Sequence, residues 1–208
     1  MYITVIADKS IKSGSLLNGK YYFTNYKNAS ALEYLEDYYK KYEDVRIVSV
    51  IIPYDSTVWY HNHELWYSNK IIIGEKYFMY DIKTVKKFNL NLSFHYHMNI
   101  IKYNKVNILE YFDRTDFDNS NYYLLSSIAS ENGCVDVLEW WCKNYKPLRY
   151  TKHTLNSASK NGYIHVLDWW KNSGLELKYD EKALLWASEN GHQDVLEWWK
   201  NSGLSFDF

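Results

Sequence analysis

Apolar positions in the second half of the chain return at a fixed interval. Ala187 to Leu204 reads ASENGHQDVLEWWKNSGL, Ala158 to Leu175 reads ASKNGYIHVLDWWKNSGL, and Ala129 begins ASENGCVDVLEWWCKNYKPL. The step is constant, because 158 − 129 and 187 − 158 both equal 29. A further step back from Leu138-Glu139-Trp140-Trp141 lands on Leu109-Glu110-Tyr111-Phe112, a fourth and weaker copy. Within each copy the apolar residues keep the 3.6-residue period of a helix. Val195, Leu196, Trp198 and Trp199 stand at i, i+1, i+3 and i+4, which is one helical face. Ala183, Leu184 and Ala187 mark a preceding helix that ends at Asn190-Gly191, and Ser202-Gly203 ends the second. Such a pair cannot cover its own apolar face, so the period predicts stacked helix pairs.

Residues 1 to 88 lack this period and read as a separate α+β module. Tyr2 to Ala7 alternates like a strand, and Lys9 to Gly19 reads as a Ser/Gly-rich loop. Tyr21 to Thr24 is a short aromatic strand, and Asn28 is placed to cap a helix running to about Tyr42. Val45 to Ile52 is the strongest strand, stopped by Pro53. Asn69 to Gly74 and Lys76 to Tyr80 suggest two strands turning at Gly74-Glu75, and Thr84 to Phe88 a last helical turn. The expected domains are therefore 1–88 and 89–208.

Composition narrows the function more than the fold. Apolar residues make up 47% and the formal charge is −1, so no basic excess points to nucleic acid as a partner. The N-terminus has no signal-peptide pattern and no apolar run reaches membrane-spanning length. Cys134 and Cys142 lie eight residues apart on one helical segment, roughly 12 Å at 1.5 Å rise per residue, too far for a bridge. They read as free thiols in a reducing, cytoplasmic compartment.

Gly191-His192-Gln193-Asp194-Val195-Leu196 followed by Ser202-Gly203 resembles the ankyrin pattern G-H-x-x-V-V-x-x-L-L-x-x-G. The departures are the absence of a T-P-L-H tetrapeptide, Trp-Trp in place of Leu-Leu, and a 29-residue period where 33 is usual. The missing residues fall where the β-hairpin finger normally lies, which implies shortened or absent fingers. Repeats of the Trp-Trp-Lys-Asn-Ser-Gly-Leu type resemble the ankyrin-repeat proteins of giant DNA viruses of amoebae. Tyr22-Phe23-Thr24, Ile51-Ile52-Pro53, Asn69 to Tyr77 and Asp81 to Phe88 resemble the amino-terminal region of the same proteins. The fold implied is an α+β N-terminal module followed by an all-α ankyrin-like solenoid of about four 29-residue helix-pair repeats.

No nucleophile elbow, phosphate-binding glycine loop, HExxH or paired-carboxylate motif is present, and no cofactor is expected. His61/His63 and His95/His97 are His-x-His pairs, but neither has the further ligands a zinc site needs. The resemblance implies that the concave face presents the first helices: Tyr122, Tyr123, Glu131, His153, Lys160, Lys182, Trp186 and Glu189. Alternating charges with aromatics suit a protein-binding patch. Asn132, Asn161 and Asn190 lie on the same face, and their recurrence is equally explained by helix capping. The expectation is a non-enzymatic viral adaptor that binds a host or viral protein, with no nucleic-acid or membrane partner. An uncapped C-terminal repeat would also allow a homo-oligomer. The alternative is a small ligand-binding or nucleotide-handling N-terminal domain around Tyr22, His61, His63 and Glu64. The Tyr21–Thr24 strand and following helix resemble ADP-ribosyltransferases in that respect.

Overall fold

The structure, a computed structural model, describes residues 1–6, 12–35, 45–90, 94–112, 122–145 and 149–205. The chain divides into two compact units, 1–97 and 98–208.

Unit 1 is built on five antiparallel strands: β1 (Tyr2–Ile6), β2 (Leu16–Asn25), β3 (Arg46–Ile51), β4 (Val58–Asn62) and β5 (Leu65–Phe78). They lie in the order β2-β1-β3-β5-β4, and β2 also pairs with β5. The sheet therefore curls until β2, β1, β3 and β5 form a closed ring, with β4 alongside the first part of β5. β-Branched and aromatic residues fill the interior: Ile6, Phe23, Val48, Val50, Ile71 and Ile73 form one buried cluster. A 3-10 segment (Tyr26–Leu35) follows β2, burying Ala29, Ala31 and Leu32. The first α-helix, α1 (Ile82–Phe88), is capped by the Asp81 carboxylate, which accepts from Lys83 N–H at 2.7 Å. Asn89 ends it in the left-handed conformation, with Lys86 and Lys87 in the last turn.

Three local expectations are corrected here. Leu16–Gly19 belongs to β2 rather than to a loop, because Leu16, Leu17 and Asn18 pair with Ile72, Ile71 and Lys70 of β5. Gly74-Glu75 is not a turn. Gly74 lies inside β5, where Ser49 of β3 crowds it so closely that a Cβ would collide with the Ser49 hydroxyl. Ser49 sits at a register shift between Val48 and Val50, and its hydroxyl takes the Glu75 N–H at 2.7 Å. Asn28 does not cap a helix: it interrupts the 3-10 segment with φ −111° and ψ 37°, and its amide reaches Glu64 Oε2 at 3.3 Å. The rest of that expected helix, residues 36–42, lies outside the described residues.

Helix α2 (Phe94–Lys102) carries the chain across the boundary between the units, and the one-turn α3 (Val106–Leu109) follows. Three full pairs come next: α4 (Tyr122–Glu131) with α5 (Val135–Asn144), α6 (His153–Lys160) with α7 (Ile164–Asn172), and α8 (Lys182–Glu189) with α9 (Gln193–Asn201). The first helices α4, α6 and α8 pack side by side.

The expected class, an α+β module followed by an ankyrin-like solenoid of about four repeats, is overturned. The chain is an α+β mix: a five-stranded antiparallel sheet and, among the described residues, nine α-helices. The fourth copy supplies no full second helix, since α3 stops at Leu109, where α5 runs on to Asn144. No hairpin strand appears among the described residues between pairs. Tyrosines hold those segments instead. Tyr150 OH donates to Glu176 O at 2.6 Å and Tyr179 OH to Ser205 O at 2.7 Å, while their rings lie against Trp170 and Trp199.

Each turn within a pair needs a left-handed residue. Gly133, Gly162 and Gly191 supply it at φ 74°, 76° and 75°, and Asn104, one step earlier, at 54°. Behind the turns, one tryptophan of each pair is buried: Trp141, Trp170 and Trp199. Two of these reach back to the preceding pair. Trp170 Nε1–H donates to Ser130 Oγ at 3.0 Å and Trp199 Nε1–H to Ser159 Oγ at 2.9 Å. Both acceptors are fully buried, so a shared hydrogen bond satisfies two groups that water cannot reach.

Candidate interaction surface

The site grows from the exposed side of α6 and α8. Ala183 and Ala187 are buried on one side of α8, which leaves Lys182, Leu185, Trp186 and Glu189 toward its accessible side. Trp186 is half-buried, and three other side chains meet its ring. The His153 imidazole stands edge-on at 5.9 Å between centroids. Lys182 Nζ lies 5.9 Å and Lys160 Nζ 6.0 Å from the indole centroid. His153 and Lys160 come from the two ends of α6, and His153 Nδ1 is fixed by the Ser157 hydroxyl at 3.1 Å. The result is a large aromatic surface bordered by cations, each held by the attraction between ammonium and indole. Leu185, half exposed at 51%, stands at the preceding position of α8.

A second polar group supports α8 from below. Asp180 accepts from Lys152 Nζ at 2.6 Å, from Asn156 Nδ2 at 2.6 Å and from Lys182 N–H at 3.1 Å. Desolvation works against its ionisation, but the bonds from Lys152, Asn156 and the Lys182 amide outweigh it and hold the carboxyl below the ordinary range. Lys152, hydrogen-bonded to Asp180, is held above its ordinary value. This carboxylate therefore anchors the start of α8 and leaves Lys182 and Lys160 as the cations facing Trp186.

Of the residues expected on this face, His153, Lys160, Lys182 and Trp186 come together. Glu131 and Glu189 are exposed at the ends of α4 and α8, outside that cluster. Tyr122 and Tyr123 begin α4, but their side chains lie outside the described residues. Asn132, Asn161 and Asn190 serve the helix ends: their amides donate to the carbonyls of Ile128, Ser157 and Trp186 at 2.8, 2.9 and 2.8 Å. Their recurrence is accounted for by that bond. The second helices expose Asp136, Glu139, Asp168, Asp194 and Glu197.

The alternative site in unit 1 does not assemble as a group of four. His61 packs its ring 5.0 Å from Tyr22, but His63 and Glu64 form the β4–β5 turn with φ 45° and 63°. Glu64 is engaged there by Asn28. His95 is exposed and His97 buried, so the helical i, i+2 spacing separates that pair. Among the described residues no group of three or more His, Cys, Asp or Glu could hold a metal ion. No described helix is long and apolar enough to cross a membrane.

Two features escaped sequence reasoning. The Ser–Trp hydrogen bonds were signalled only by a serine recurring after Ala129, Ala158 and Ala187. The solvent-facing aromatic group of Trp59, Tyr67 and Tyr22 needed the register of three strands, which no local pattern supplies. Compared with protein families, curated proteins and solved structures, the chain matches none.

Proposed function

We propose that the chain is a non-enzymatic protein-interaction module that docks an acidic segment of a partner protein on the α6–α8 face. The observation that carries this reading is the convergence of His153, Lys160 and Lys182 on Trp186. A half-exposed tryptophan supplies the contact area typical of an interface hot spot, and the flanking ammonium groups select for carboxylates. Because those ammonium groups already lie against the indole, little side-chain freedom is lost when a partner arrives. Action in a reducing cytoplasm fits two thiols, Cys134 and Cys142, that are not paired.

The test is affinity purification with the tagged full chain, beside Lys160→Glu/Lys182→Glu and a control, Lys200→Glu, on the far helix α9. The reading expects one or more partners retained by the wild type and the control and released by the double variant. Partners that remain bound to the double variant would remove the α6–α8 face from consideration. Rim lysines of this kind act mainly on association rate, so wild-type binding should also weaken steeply with added salt.

A further inference from the structure

The last helix pair of unit 2 exposes a surface that the earlier pairs bury. Leu184, Leu185, Ser188 and Leu196 stand 29 positions after Leu155, Asn156, Ser159 and Leu167. Those stand 29 positions after Ser126, Ser127, Ser130 and Leu138. All eight earlier residues are buried. In α8–α9, by contrast, Leu184 and Leu196 are half-buried, Ser188 is exposed and Leu185 is half exposed. The positions correspond, so the difference lies in what covers them.

Upstream, the cover is the next helix pair, and its bonds are specific. From α8–α9, Trp199 Nε1–H reaches Ser159 Oγ at 2.9 Å and Trp198 Nε1–H reaches Asp168 Oδ1 at 2.6 Å. Lys171 Nζ returns a bond to Ser202 O at 2.9 Å, and Asp180 is held by Lys152 and Asn156. Moved on by 29 positions, the acceptors Ser159 and Asp168 become Ser188 and Glu197, and the donor Lys171 becomes Lys200. All three are exposed. The outer side of α8–α9 therefore keeps two indole acceptors and one ammonium donor where α6–α7 uses them. The contacts to Asp180 do change, since Lys152 and Asn156 become Glu181 and Leu185.

We infer that the outer side of α8–α9 docks a helix pair of this same Trp-Trp pattern supplied by a different protein. The surface continues the helix-pair contacts already made within unit 2. Ser188 and Glu197 select two adjacent tryptophans, and Glu181 selects against a carboxylate in the place of Asp180 and favours a lysine or arginine there. A second copy of this chain does not meet these terms. Its α8–α9 pair carries Asp180 and already engages Trp198 and Trp199 on α6–α7. Its other two pairs also face preceding segments: Trp170 Nε1–H donates to Ser130 Oγ at 3.0 Å, and Asn104 Nδ2 donates to Asp136 Oδ2 at 2.7 Å. The surface is separate from the one around Trp186. Glu181, Leu185 and Ser188 recur at helical spacing, about 100° around α8 from Lys182, Trp186 and Glu189.

The probe is a copy of Asp180–Leu204 carrying Asp180→Lys. Joined to the full chain after Phe208, it starts one period after Asp180 itself. Hydrogen exchange read by mass spectrometry is expected to show the added residues protected. In urea, Ser188→Ala should raise the unfolding constant of this extended chain about tenfold, against little change in the natural one. Glu181→Lys should weaken the docking, and restoring the aspartate in the probe should recover it. Supplied as a separate fluorescein-labelled peptide, the probe folds as it binds, so anisotropy titration with the full chain runs to about 500 µM. Binding is expected there, about tenfold weaker for Leu185→Lys and for Glu181→Lys, which set like charges together. Lys160→Glu, on the α6–α8 face, should leave it unchanged, so that failure here and failure of the acidic-segment reading are told apart. Added residues that exchange like an unfolded tail overturn the proposal. So does a Ser188→Ala that stays neutral in the extended chain, or a peptide that does not bind.

Discussion

Replacing Ser130 by alanine tests whether the buried Trp170 indole depends on its acceptor. The Ser130 hydroxyl is fully buried and lies 3.0 Å from Trp170 Nε1, and Trp170 itself is fully buried. In Ser130→Ala the indole N–H keeps its desolvation cost and loses its partner, a penalty of about 1–3 kcal/mol. Alanine's better helix propensity returns a few tenths of a kcal/mol, roughly 0.5 at most. The sequence contains its own controls, since Ser130, Ser159 and Ser188 occupy one position of successive copies (159 − 130 = 188 − 159 = 29). Ser159 accepts from Trp199 and should behave like Ser130, whereas Ser188 is exposed and its alanine variant should lie within about 0.5 kcal/mol of wild type. Urea unfolding followed by tryptophan fluorescence measures all three. Thermal midpoints should fall by roughly 4 °C per kcal/mol for a unit of this size. A double-mutant cycle with Trp170→Phe isolates the bond, and the coupling should be about 1 kcal/mol. The reasoning is refuted if Ser130→Ala is neutral, or if Ser188→Ala costs as much as the other two.

Three further outcomes follow from single residues. Gly162 has φ 76° and a Cβ there would stand 2.7 Å from His192 Nδ1, whereas Gly191 at φ 75° faces open space. Gly162→Ala should therefore cost more than the roughly 1–2 kcal/mol of left-handed strain that Gly191→Ala incurs, and His192→Ala should narrow that gap in chemical denaturation. Burial pushes the Cys134 thiol up to about 11, a nearby Asp136 carboxylate adding to the effect against a main-chain hydrogen bond that opposes it. At pH 8 the native thiolate fraction is about a hundredfold below that of an ordinary thiol, so mass-resolved alkylation should label half-buried Cys142 first and reach Cys134 on unfolding. Asp180 is held below its ordinary value in the fold, so its ionised form stabilises the native state above the unfolded value near about pH 4. That contribution disappears as pH falls through the lower folded value, and Asp180→Asn should flatten the acid limb of the stability curve.

The helix pairs were legible because their signal is local and repeated. A 3.6-residue apolar stripe, a turn needing a left-handed residue and a buried tryptophan occur at the same positions in each copy, so each confirms the others. The ankyrin-like array did not follow from that pattern. Its defining tetrapeptide is absent, the expected finger segments carry tyrosine clamps instead of strands, and the weakest copy ends after one turn at Leu109. Unit 1 was harder for a different reason. Gly74 looked like a turn residue, but it is there so that Ser49 of β3 can approach, a contact between residues 25 positions apart (74 − 49) that no window contains. The true turn, His63-Glu64, lacks the Asn or Gly that normally announces two left-handed residues.

The candidate interaction surface divides along the same line. Lys182 and Trp186 stand four apart on one helix, a spacing that sequence alone places on a common face. That His153 and Lys160, seven apart on α6, both close on Trp186 depends on how α6 and α8 lie against each other, and the 29-residue period constrains this without fixing it. The physical discriminator between the asparagines and the lysines of this face is satisfaction. Asn132, Asn161 and Asn190 complete a hydrogen bond to their own helix, so their recurrence needs no ligand. Lys160 and Lys182 lie on an indole instead of a carboxylate, a weak interaction at an exposed site, about 0.5–1 kcal/mol, which a partner's carboxylates can readily displace. In the proposed docking of an acidic segment, the contacts would come from Trp186 and the two lysines around it, while the repeated asparagines complete the helix ends.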